Sequence, residues 1–261
     1  MATFVLVHGA WHGGWCWKKV APLLRRAGAE VYTPTLTGMG ERAHLTGYLE
    51  PAAINLDLHQ RDVVQLLEFE DLAEVVLVGH AYAGMIITGV AEVCPERLKH
   101  LVYVNGVVPK DGESMVDQLE AVRGPQFTAW VRGHLGGKGG FLPPPASPEE
   151  VGRRWGITDA DDLAWVGAKV TPQPAAAFAQ PVRLGRPEAQ SIPRSFVGSS
   201  EAGFDSVAER VKAAGWGIYH IDSGHDPMVT NPEDLAEILL RIASGGERSG
   251  RSLHRENRGA R

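Results

Sequence analysis

A short glycine-rich segment after an apolar run carries the first chemical signal of this chain. Residues 79–84 read Gly-His-Ala-Tyr-Ala-Gly and follow the run Val-Val-Leu-Val at 75–78. This spacing of small residues is typical of the turn G-x-S-x-G, in which a strand bends sharply into a helix and exposes a serine hydroxyl for acyl transfer. Ala81 occupies the serine position, and alanine has no oxygen that could attack a carbonyl. The segment therefore predicts a nucleophile turn without its nucleophile.

Two explanations fit an alanine at this position. Either a natural chain has lost its chemistry, or a serine has been replaced by alanine, as is done to trap a bound substrate. We interpret Ala81 as a replaced serine, because candidates for every other group that an ester hydrolase needs are present in the sequence. The chain as it stands is therefore expected to be inactive.

The base that would activate such a serine is expected in a loop after a late strand, because hydrolases with this turn carry their groups in the order nucleophile, acid, histidine. His225 lies in the loop Asp-Ser-Gly-His-Asp at 222–226, before the last helix. The other downstream histidines lie before a strand, in a middle insertion, inside a strand and in the tail: His100, His134, His220 and His254. His225 is therefore the predicted general base.

The carboxylate that would orient this base is predicted in the loop after the strand at 195–198. Both Glu201 and Asp205 occur there. We assign Glu201 and keep Asp205 as the alternative, because Asp205 falls in the first turn of the next helix, where the helix dipole alone favours a carboxylate. After the strand at 101–104 the chain has Asn105, whose amide is a poor substitute because it cannot stabilise an imidazolium ion.

Two backbone N–H groups are expected to stabilise the oxyanion of the tetrahedral intermediate. One belongs to Tyr82, which follows position 81 at a helix N-terminus, where backbone amides point outward. The other is predicted at Ala10, in the loop His-Gly-Ala-Trp-His-Gly-Gly-Trp at 8–15. The glycines of this loop allow its backbone to approach a substrate closely.

Aromatic side chains predict an apolar pocket for the acyl or alcohol group of an ester. We assign five residues to this pocket: Trp11, Tyr82, Trp130, Trp155 and Trp165. The alternative for those in the middle insertion is that they form its own small core. Arg123 and Arg132 could steer an acidic substrate, although arginines in such an insertion are commonly just solvated.

The elements that must position these residues alternate between strand and helix. Apolar runs predict six strands at 4–8, 30–35, 75–78, 101–104, 195–198 and 217–221. Helical patterns separate them, which indicates crossover connections and a mostly parallel α/β sheet flanked by helices. Residues 109–190 break this rhythm and hold most of the prolines, so we predict a small, mainly helical cap there. The core is then formed by 1–108 and 191–243.

Length and composition favour one α/β domain with an insertion. A net charge of −5 gives no reason to expect a nucleic-acid partner, and no apolar run is long enough to span a membrane. Cys16 and Cys94 lack metal-ligand spacing, and the start shows no signal-peptide pattern, so we expect a cytoplasmic protein without a metal. Residues 244–261 carry five arginines and almost no apolar side chains, which predicts a disordered basic tail. A homodimer is compatible with these features.

Three segments together resemble a known family. The loop at 8–17, the segment Pro-Thr-Leu-Thr-Gly at 34–38 and the turn at 79–84 are similar to the plant methylesterase and hydroxynitrile-lyase branch of the α/β-hydrolases and its bacterial carboxylesterase relatives, including pyrethroid-type esterases. The resemblance covers nearly all of 3–242 and is weakest in the cap. It implies the α/β-hydrolase fold and cofactor-free hydrolysis of small hydrophobic carboxylic esters by a triad of serine, Asp or Glu, and histidine. The corresponding positions here are Ala81, Glu201 and His225, with oxyanion donors at Ala10 and Tyr82.

Other functions stay open beside the carboxylesterase. Similar hydroxynitrile lyases have a threonine after the first strand's histidine and a lysine after the catalytic histidine, whereas this chain has Gly9 and Asp226 there, which argues against a lyase. Hydrolysis of a lactone, a cyclic ester, would use the same groups. A serine-less hydrolase fold could also serve as a small-molecule binding protein. Such a protein would be free to lose its base, so the retention of His225 favours the ester hydrolase.

Overall fold

Six parallel strands form the central sheet of the computed structural model, which describes residues 1–135, 139–199, 203 and 205–245. The described residues form eight strands in all, which are β1 (Thr3–Val7), β2 (Glu30–Tyr32), β3 (Val75–His80), β4 (Leu98–Val104), β5 (Phe141–Leu142), β6 (Gln173–Pro174), β7 (Arg194–Gly198) and β8 (Gly217–His220). The central sheet has the order β2-β1-β3-β4-β7-β8, with parallel pairing between all neighbours. The predicted parallel sheet of six strands is confirmed.

The middle of the sheet is built from strands that are apolar on both faces. All six residues of β3 are buried, and so are four of the five residues of β1. Continuous runs of this kind are typical of parallel strands that helices cover on both sides. β4 begins three residues before the predicted strand 101–104, because its first residues include the more exposed polar residues Lys99 and His100, which interrupt the apolar pattern.

Helices connect the strands and cover the sheet. They are α1 (Ala21–Arg26), α2 (Leu56–Phe69), α3 (Ala83–Val93), α4 (Met115–Arg123), α5 (Pro125–Leu135), α6 (Pro148–Trp155), α7 (Ala160–Gly167), α8 (Ala175–Ala179), α9 (Pro187–Ser191), α10 (Asp205–Ala213), α11 (Pro227–Thr230) and α12 (Pro232–Ala243). α1 packs against α12, and α2 packs against α3. α2 begins directly after Asn55. The side-chain oxygen of Asn55 accepts a hydrogen bond from the backbone N–H of Leu58 at 3.0 Å and so caps the helix.

Between β4 and β7 the chain forms a layer of short helices, α4 to α9. α4 packs on α5, α5 packs on α8, and α6 packs on α7. This segment also contains the antiparallel pair of β5 and β6, which the proline-rich sequence does not predict. The segment is tied to the loop after β1, because Nε1 of Trp11 donates to the carbonyl of Leu142 at 3.2 Å and the carbonyl of Trp11 accepts from the amide of Thr171 at 2.9 Å.

Strained backbone is concentrated at the carboxyl ends of the central strands. Five non-glycine residues in the described part of the chain have a positive φ, and three of them follow β1, β3 and β4: Trp11 (64°), Ala81 (50°) and Asn105 (43°). Left-handed backbone is unfavourable for residues with a Cβ and persists where surrounding structure fixes it, often at functional sites. The carboxyl edge of the sheet is therefore the place to look for a site.

Two of the sequence predictions fall outside the described residues. Glu201 is one, and the basic tail from residue 246 onward is the other. Within the residues that are described, no helix is long and apolar enough to cross a membrane.

Candidate active site

Ala81 lies at the tip of a sharp turn between β3 and α3. Its φ of +50° directs the chain from strand to helix, and its carbonyl accepts hydrogen bonds from the amides of Gly84 and Val107 at 3.1 Å each. Gly84 lies so close to the backbone at Val107 that a Cβ on Gly84 would be 2.0 Å from the carbonyl oxygen of Val107. The turn thus has the backbone conformation of a nucleophile turn, with a methyl group at the position where the sequence predicts a nucleophile.

The two residues predicted as oxyanion donors lie at the cavity above Ala81. Both Ala10, in the loop after β1, and Tyr82, which caps α3, line the same cavity as Ala81. Among the described residues neither amide has a hydrogen-bond acceptor. Free N–H groups from these two loops are the arrangement that can stabilise a developing oxyanion.

The side chain of Tyr82 is held by a histidine on α2. Nε2–H of His59 donates to the carbonyl of Thr37 at 3.0 Å, so Nδ1 of His59 accepts from the hydroxyl of Tyr82 at 3.0 Å. Both rings are buried. The hydroxyl of Tyr82 is therefore directed away from the cavity toward α2, and its ring supplies apolar surface beside Ala81.

His225 lies in the loop between β8 and α11 and lines the cavity together with Ala81. Its backbone amide donates to the carbonyl of Trp155 at 2.9 Å, which joins this loop to the cap. The amide side chain of Asn105 donates to the carbonyl of His225 at 3.1 Å, and its oxygen accepts from the amide of Ser199 at 3.0 Å. Asn105 thus positions the loop of the predicted base rather than replacing the acid.

A buried carboxylate connects the three loops of the site. Oδ2 of Asp226 accepts from Nε2 of His12 at 3.0 Å, and Oδ1 of Asp226 lies 3.4 Å from Nε2 of His80. Nδ1 of His12 donates to the carbonyl of Ala10 at 2.7 Å. Because Asp226 directly follows His225, this carboxylate ties the base loop to the oxyanion loop and to the turn at Ala81.

The histidines around this carboxylate differ in charge. Burial tends to lower the pKa of His12, but the charge and hydrogen bond of Asp226 and the Ala10 carbonyl outweigh it and raise that pKa. Both ring nitrogens of His12 face acceptors, which fits an imidazolium ion. Burial lowers the pKa of His80 to about 3, so this neighbour is neutral.

The predicted base is also neutral at ordinary pH. Burial, followed by the charges of His12 and Arg123, lowers the pKa of His225 to about 3. A neutral imidazole is the form that can accept a proton from a hydroxyl nucleophile. The charge state of His225 therefore suits a general base.

The acid that would orient His225 stays a prediction. Glu201 lies outside the described residues. Asp205 is the first residue of α10, as the sequence indicates, and its side chain is exposed there. An exposed carboxylate at a helix N-terminus is stabilised by the helix dipole and needs no catalytic role.

The cavity above Ala81 has a volume of about 330 Å³. Three of the five aromatic residues predicted for the pocket line it: Trp11, Tyr82 and Trp155. The other two pack elsewhere in the described structure. The Trp130 ring packs on Phe127 and His134, and the Trp165 ring packs edge-on against Trp15. Sequence position alone does not show which of these tryptophans line the pocket, because an aromatic ring in a cap can belong either to the core of the cap or to a pocket.

Among the residues that the structure describes, one group of side chains has atoms close enough together to be considered as metal ligands. His80, His225 and Asp226 each offer one such atom within 4.8 Å of the others. However, Nε2 of His80 donates to the carbonyl of His225 at 3.0 Å, and Oδ2 of Asp226 is bound to His12. We interpret the group as a hydrogen-bonded cluster and assign no metal to it.

Comparison with known proteins agrees with this geometry. The sequence matches the alpha/beta hydrolase family over residues 4–238. The chain belongs to that family. The carbendazim hydrolyzing esterase of Nocardioides sp. (strain SG-4G) is 38% identical over 254 residues, which cover 93% of this chain and 100% of the relative. The alpha/beta hydrolase chain described here is thus related to an esterase over nearly its whole length.

Solved structures extend the comparison. The methylesterase MES16 from Arabidopsis has a TM-score of 0.71 and 26% identity, covering 94% of this chain and 100% of that one. A variant of tomato methylketone synthase I, solved with β-ketoheptanoate, has a TM-score of 0.72 and 25% identity, covering 94% and 98%. The resemblance to plant methylesterases and bacterial esterases stated from the sequence is confirmed.

Sequence reasoning missed the roles of four polar residues around the site. The sequence indicates Asp226 only as the neighbour of His225, and Asn105 only as a poor substitute for the acid. His12 and His80 were parts of motifs without a function of their own. One available signal is that a carboxylate and two histidines lie within two residues of the predicted base, oxyanion donor and nucleophile position, where desolvated charges need partners.

Proposed function

We propose that this chain is a carboxylic ester hydrolase in which Ala81 stands where the serine nucleophile acts, so that it binds its ester without cleaving it. The observation that carries the proposal is the backbone of Ala81, whose φ of +50° keeps the turn that presents a nucleophile. The esterase related to nearly the whole chain supports the reaction class. The neutral His225 and the two free amides of Ala10 and Tyr82 support the mechanism.

With a serine at position 81, each group would have a defined task. The hydroxyl oxygen would attack the ester carbonyl carbon while its proton passes to the imidazole of His225. The carbonyl oxygen would become an oxyanion stabilised by the amides of Ala10 and Tyr82. The alcohol would leave with the proton from His225, and water would then release the acid from the acyl-enzyme. In the present chain the first bond cannot form.

Restoring the hydroxyl tests the proposal. We expect Ala81→Ser to raise turnover of p-nitrophenyl esters of short and medium acyl chains by roughly 10³ to 10⁶, since removing a triad serine elsewhere costs on the order of 10⁶. Carbendazim, the substrate given in the name of the Nocardioides esterase, is a second compound to test. The double variant Ala81→Ser/His225→Ala is the control and should fall back to the level of the present chain. A serine variant that is no faster on any ester would leave a binding protein as the better explanation.

The orienting acid can be identified in the same background. We propose Glu201 for this role, so Glu201→Gln should reduce kcat of the Ala81→Ser variant by about 10³ to 10⁴, as loss of a triad carboxylate does in other enzymes. Asp205→Asn is the matched control and should change kcat less than threefold. If Asp205→Asn reduces kcat more than Glu201→Gln does, Asp205 is the orienting acid.

A second candidate function is favoured by Ala81 itself. Loss of carbon dioxide from a β-keto acid needs no nucleophile: the carbon–carbon bond breaks, its electron pair forms an enolate, and the enolate carbon then takes a proton. The free amides of Ala10 and Tyr82 could stabilise the enolate oxygen. The structure of the methylketone synthase I variant, which contains β-ketoheptanoate, supports testing this class of substrate.

The two candidates predict opposite results for the unaltered chain. A decarboxylase would release 2-hexanone from β-ketoheptanoate above the spontaneous rate, and Ala81→Ser would not improve it. The ester hydrolase that we favour predicts only the spontaneous rate with this acid and a gain on esters after Ala81→Ser. Gas chromatography of the ketone and absorbance of p-nitrophenol measure the two reactions separately.

A further inference from the structure

Arginines from two cap helices line the cavity above Ala81. Arg123 is the last residue of α4, and Arg153 and Arg154 lie at the end of α6. No aspartate or glutamate is found among the described residues of the lining. The cap side of the cavity is therefore positively charged, whereas the chain as a whole carries a net charge of −5.

Two of these arginines lie over aromatic rings, one of which, Trp11, also lines the cavity. The guanidinium of Arg154 lies 5.0 Å from the centre of the Trp11 ring, and that of Arg123 lies 5.5 Å from the centre of the Phe127 ring. Stacking on a ring leaves the donors of a guanidinium at its edge free to bind an anion. Within the described residues, the guanidinium of neither Arg123 nor Arg154 has an ion-pair or hydrogen-bond partner, although the backbone carbonyl of Arg123 accepts from Gln126. Arg153 differs, because it lies 3.8 Å from Glu150.

Helix capping does not explain this convergence. An arginine in the last turn of a helix is favoured by the helix dipole wherever the helix points. Here the two cations come from separate helices and repel each other: burial lowers the pKa of Arg154, and the charge of Arg123 lowers it further, while the charge of Glu150 acts in the opposite direction. The charge of Arg123 also reaches the predicted base, where it adds to burial and the charge of His12 in lowering the pKa of His225. A bound anion would relieve this repulsion.

We propose that Arg123 and Arg154 form an anion-binding subsite on the cap side of the cavity, which selects ligands that carry a carboxylate in addition to the ester group. Monoesters of short dicarboxylic acids are the class that fits, because a cavity of about 330 Å³ holds a small acyl chain. Arg132, on α5, lies outside the described lining and takes no part. This inference rests on the ester hydrolase proposed above and names its substrate class.

The test uses two esters that differ only in a terminal charge. 4-Nitrophenyl hydrogen glutarate and 4-nitrophenyl valerate have acyl chains of equal length. In the Ala81→Ser background we expect the ratio of their kcat/KM values, glutarate over valerate, to fall about three- to tenfold on Arg123→Ala or Arg154→Ala, mainly through KM for the glutarate. Arg123→Lys should keep part of the preference, and Arg132→Ala should leave it unchanged. The subsite is overturned if neither Arg123→Ala nor Arg154→Ala changes this ratio of kcat/KM values. It is also overturned if Arg132→Ala lowers the ratio by the same factor.

A binding measurement separates this inference from the proposed function. Trp11 and Trp155 line the cavity, so tryptophan fluorescence of the unaltered chain can report binding of monomethyl glutarate and of methyl valerate. We expect the anion to bind more tightly, and Arg123→Ala and raised salt to remove the difference. If Ala81→Ser is inactive on both esters while this difference is found, the hydrolase fails and the subsite stands. If Ala81→Ser hydrolyses valerate and no difference is found, the hydrolase stands and the subsite fails.

Discussion

Nε2 of His12 lies 3.0 Å from Oδ2 of Asp226, although the two residues are 214 positions apart. Both side chains are at most 1% exposed. The charged pair therefore joins the first loop of the chain to the last one inside the protein. Because Ala10 accepts from His12 and His225 precedes Asp226, the pair fixes an oxyanion donor relative to the predicted base.

Removing the carboxylate of this pair should destabilise the fold. Asp226→Asn leaves the His12 imidazolium buried without a counter-charge, so we expect the free energy of unfolding at pH 7 to fall by about 3–5 kcal/mol. Urea denaturation measures it. Glu237→Gln is the control, since Glu237 is 58% exposed in its pair with Arg241 and its loss should cost less than about 1 kcal/mol. The double variant His12→Gln/Asp226→Asn should recover part of the loss, and equal losses for Asp226→Asn and Glu237→Gln would contradict the role assigned to the pair.

Stability should decrease in mild acid. Burial lowers the pKa of both His8 and His80 to about 3, whereas an unfolded histidine has its ordinary value of 6.5. Between these values the unfolded state binds more protons than the folded state, so stability is lost as the pH falls from 6.5 toward 3, by up to about 1.4 kcal/mol per pH unit for each histidine. His12 has a raised pKa and acts oppositely, with a contribution that is complete below 6.5 and lost as the pH rises through its folded value. Thermal unfolding from pH 7.5 to 4.5 measures this slope, and a flat profile would contradict the neutral state of His8 and His80.

The close approach behind the turn should not tolerate a methyl group. A Cβ at Gly84 would be 2.0 Å from the carbonyl oxygen of Val107, so we expect Gly84→Ala to lower the free energy of unfolding by about 1–3 kcal/mol or more. Gly133 lies in α5 with nothing within 4 Å of an added Cβ, and Gly133→Ala should stabilise by about 0.5–1 kcal/mol. Opposite signs in a urea titration of the two variants are the expected result.

Much of the fold follows from the sequence because its signals are local. The apolar run 75–78 with small residues after it predicts both β3 and the turn at Ala81, and α10 begins at Asp205 where the helix pattern starts. The same local signals also miss some elements. The polar residues Lys99 and His100 interrupt the apolar pattern at the start of β4, and a two-residue strand such as β5 is too short to give a pattern.

The site is less predictable because its contacts are distant in sequence. His225 and position 81 are predicted from chain order and motif, which assign a role to each residue without its spatial neighbours. The partners of Asp226 follow from tertiary packing, which brings residue 12 to residue 226 and cannot be deduced from either segment alone. Trp155 and Trp165 are similar in sequence context, yet only the first lines the cavity, since the orientation of each cap helix decides it.

The left-handed backbone at position 81 should show in a pair of glycine substitutions within one turn. Ala81 has φ +50°, so Ala81→Gly removes an unfavourable conformation and should change the free energy of unfolding by less than about 0.5 kcal/mol, or raise it. Ala83 begins α3 and is fully buried, so Ala83→Gly should cost about 1–2 kcal/mol. Thermal unfolding distinguishes them, and equal costs would mean that the turn at 81 is unstrained in solution.

The conformation of Ala81 also has a genetic consequence. Every alanine codon, GCN, becomes a serine codon, TCN, through one G-to-T change at its first base. The backbone at position 81 already has φ +50°, and the loops around it are tied together by Asp226, so the backbone that would present the new hydroxyl is in place before the mutation. Gain and loss of that oxygen are therefore single, reversible steps in the gene, open to selection in either direction.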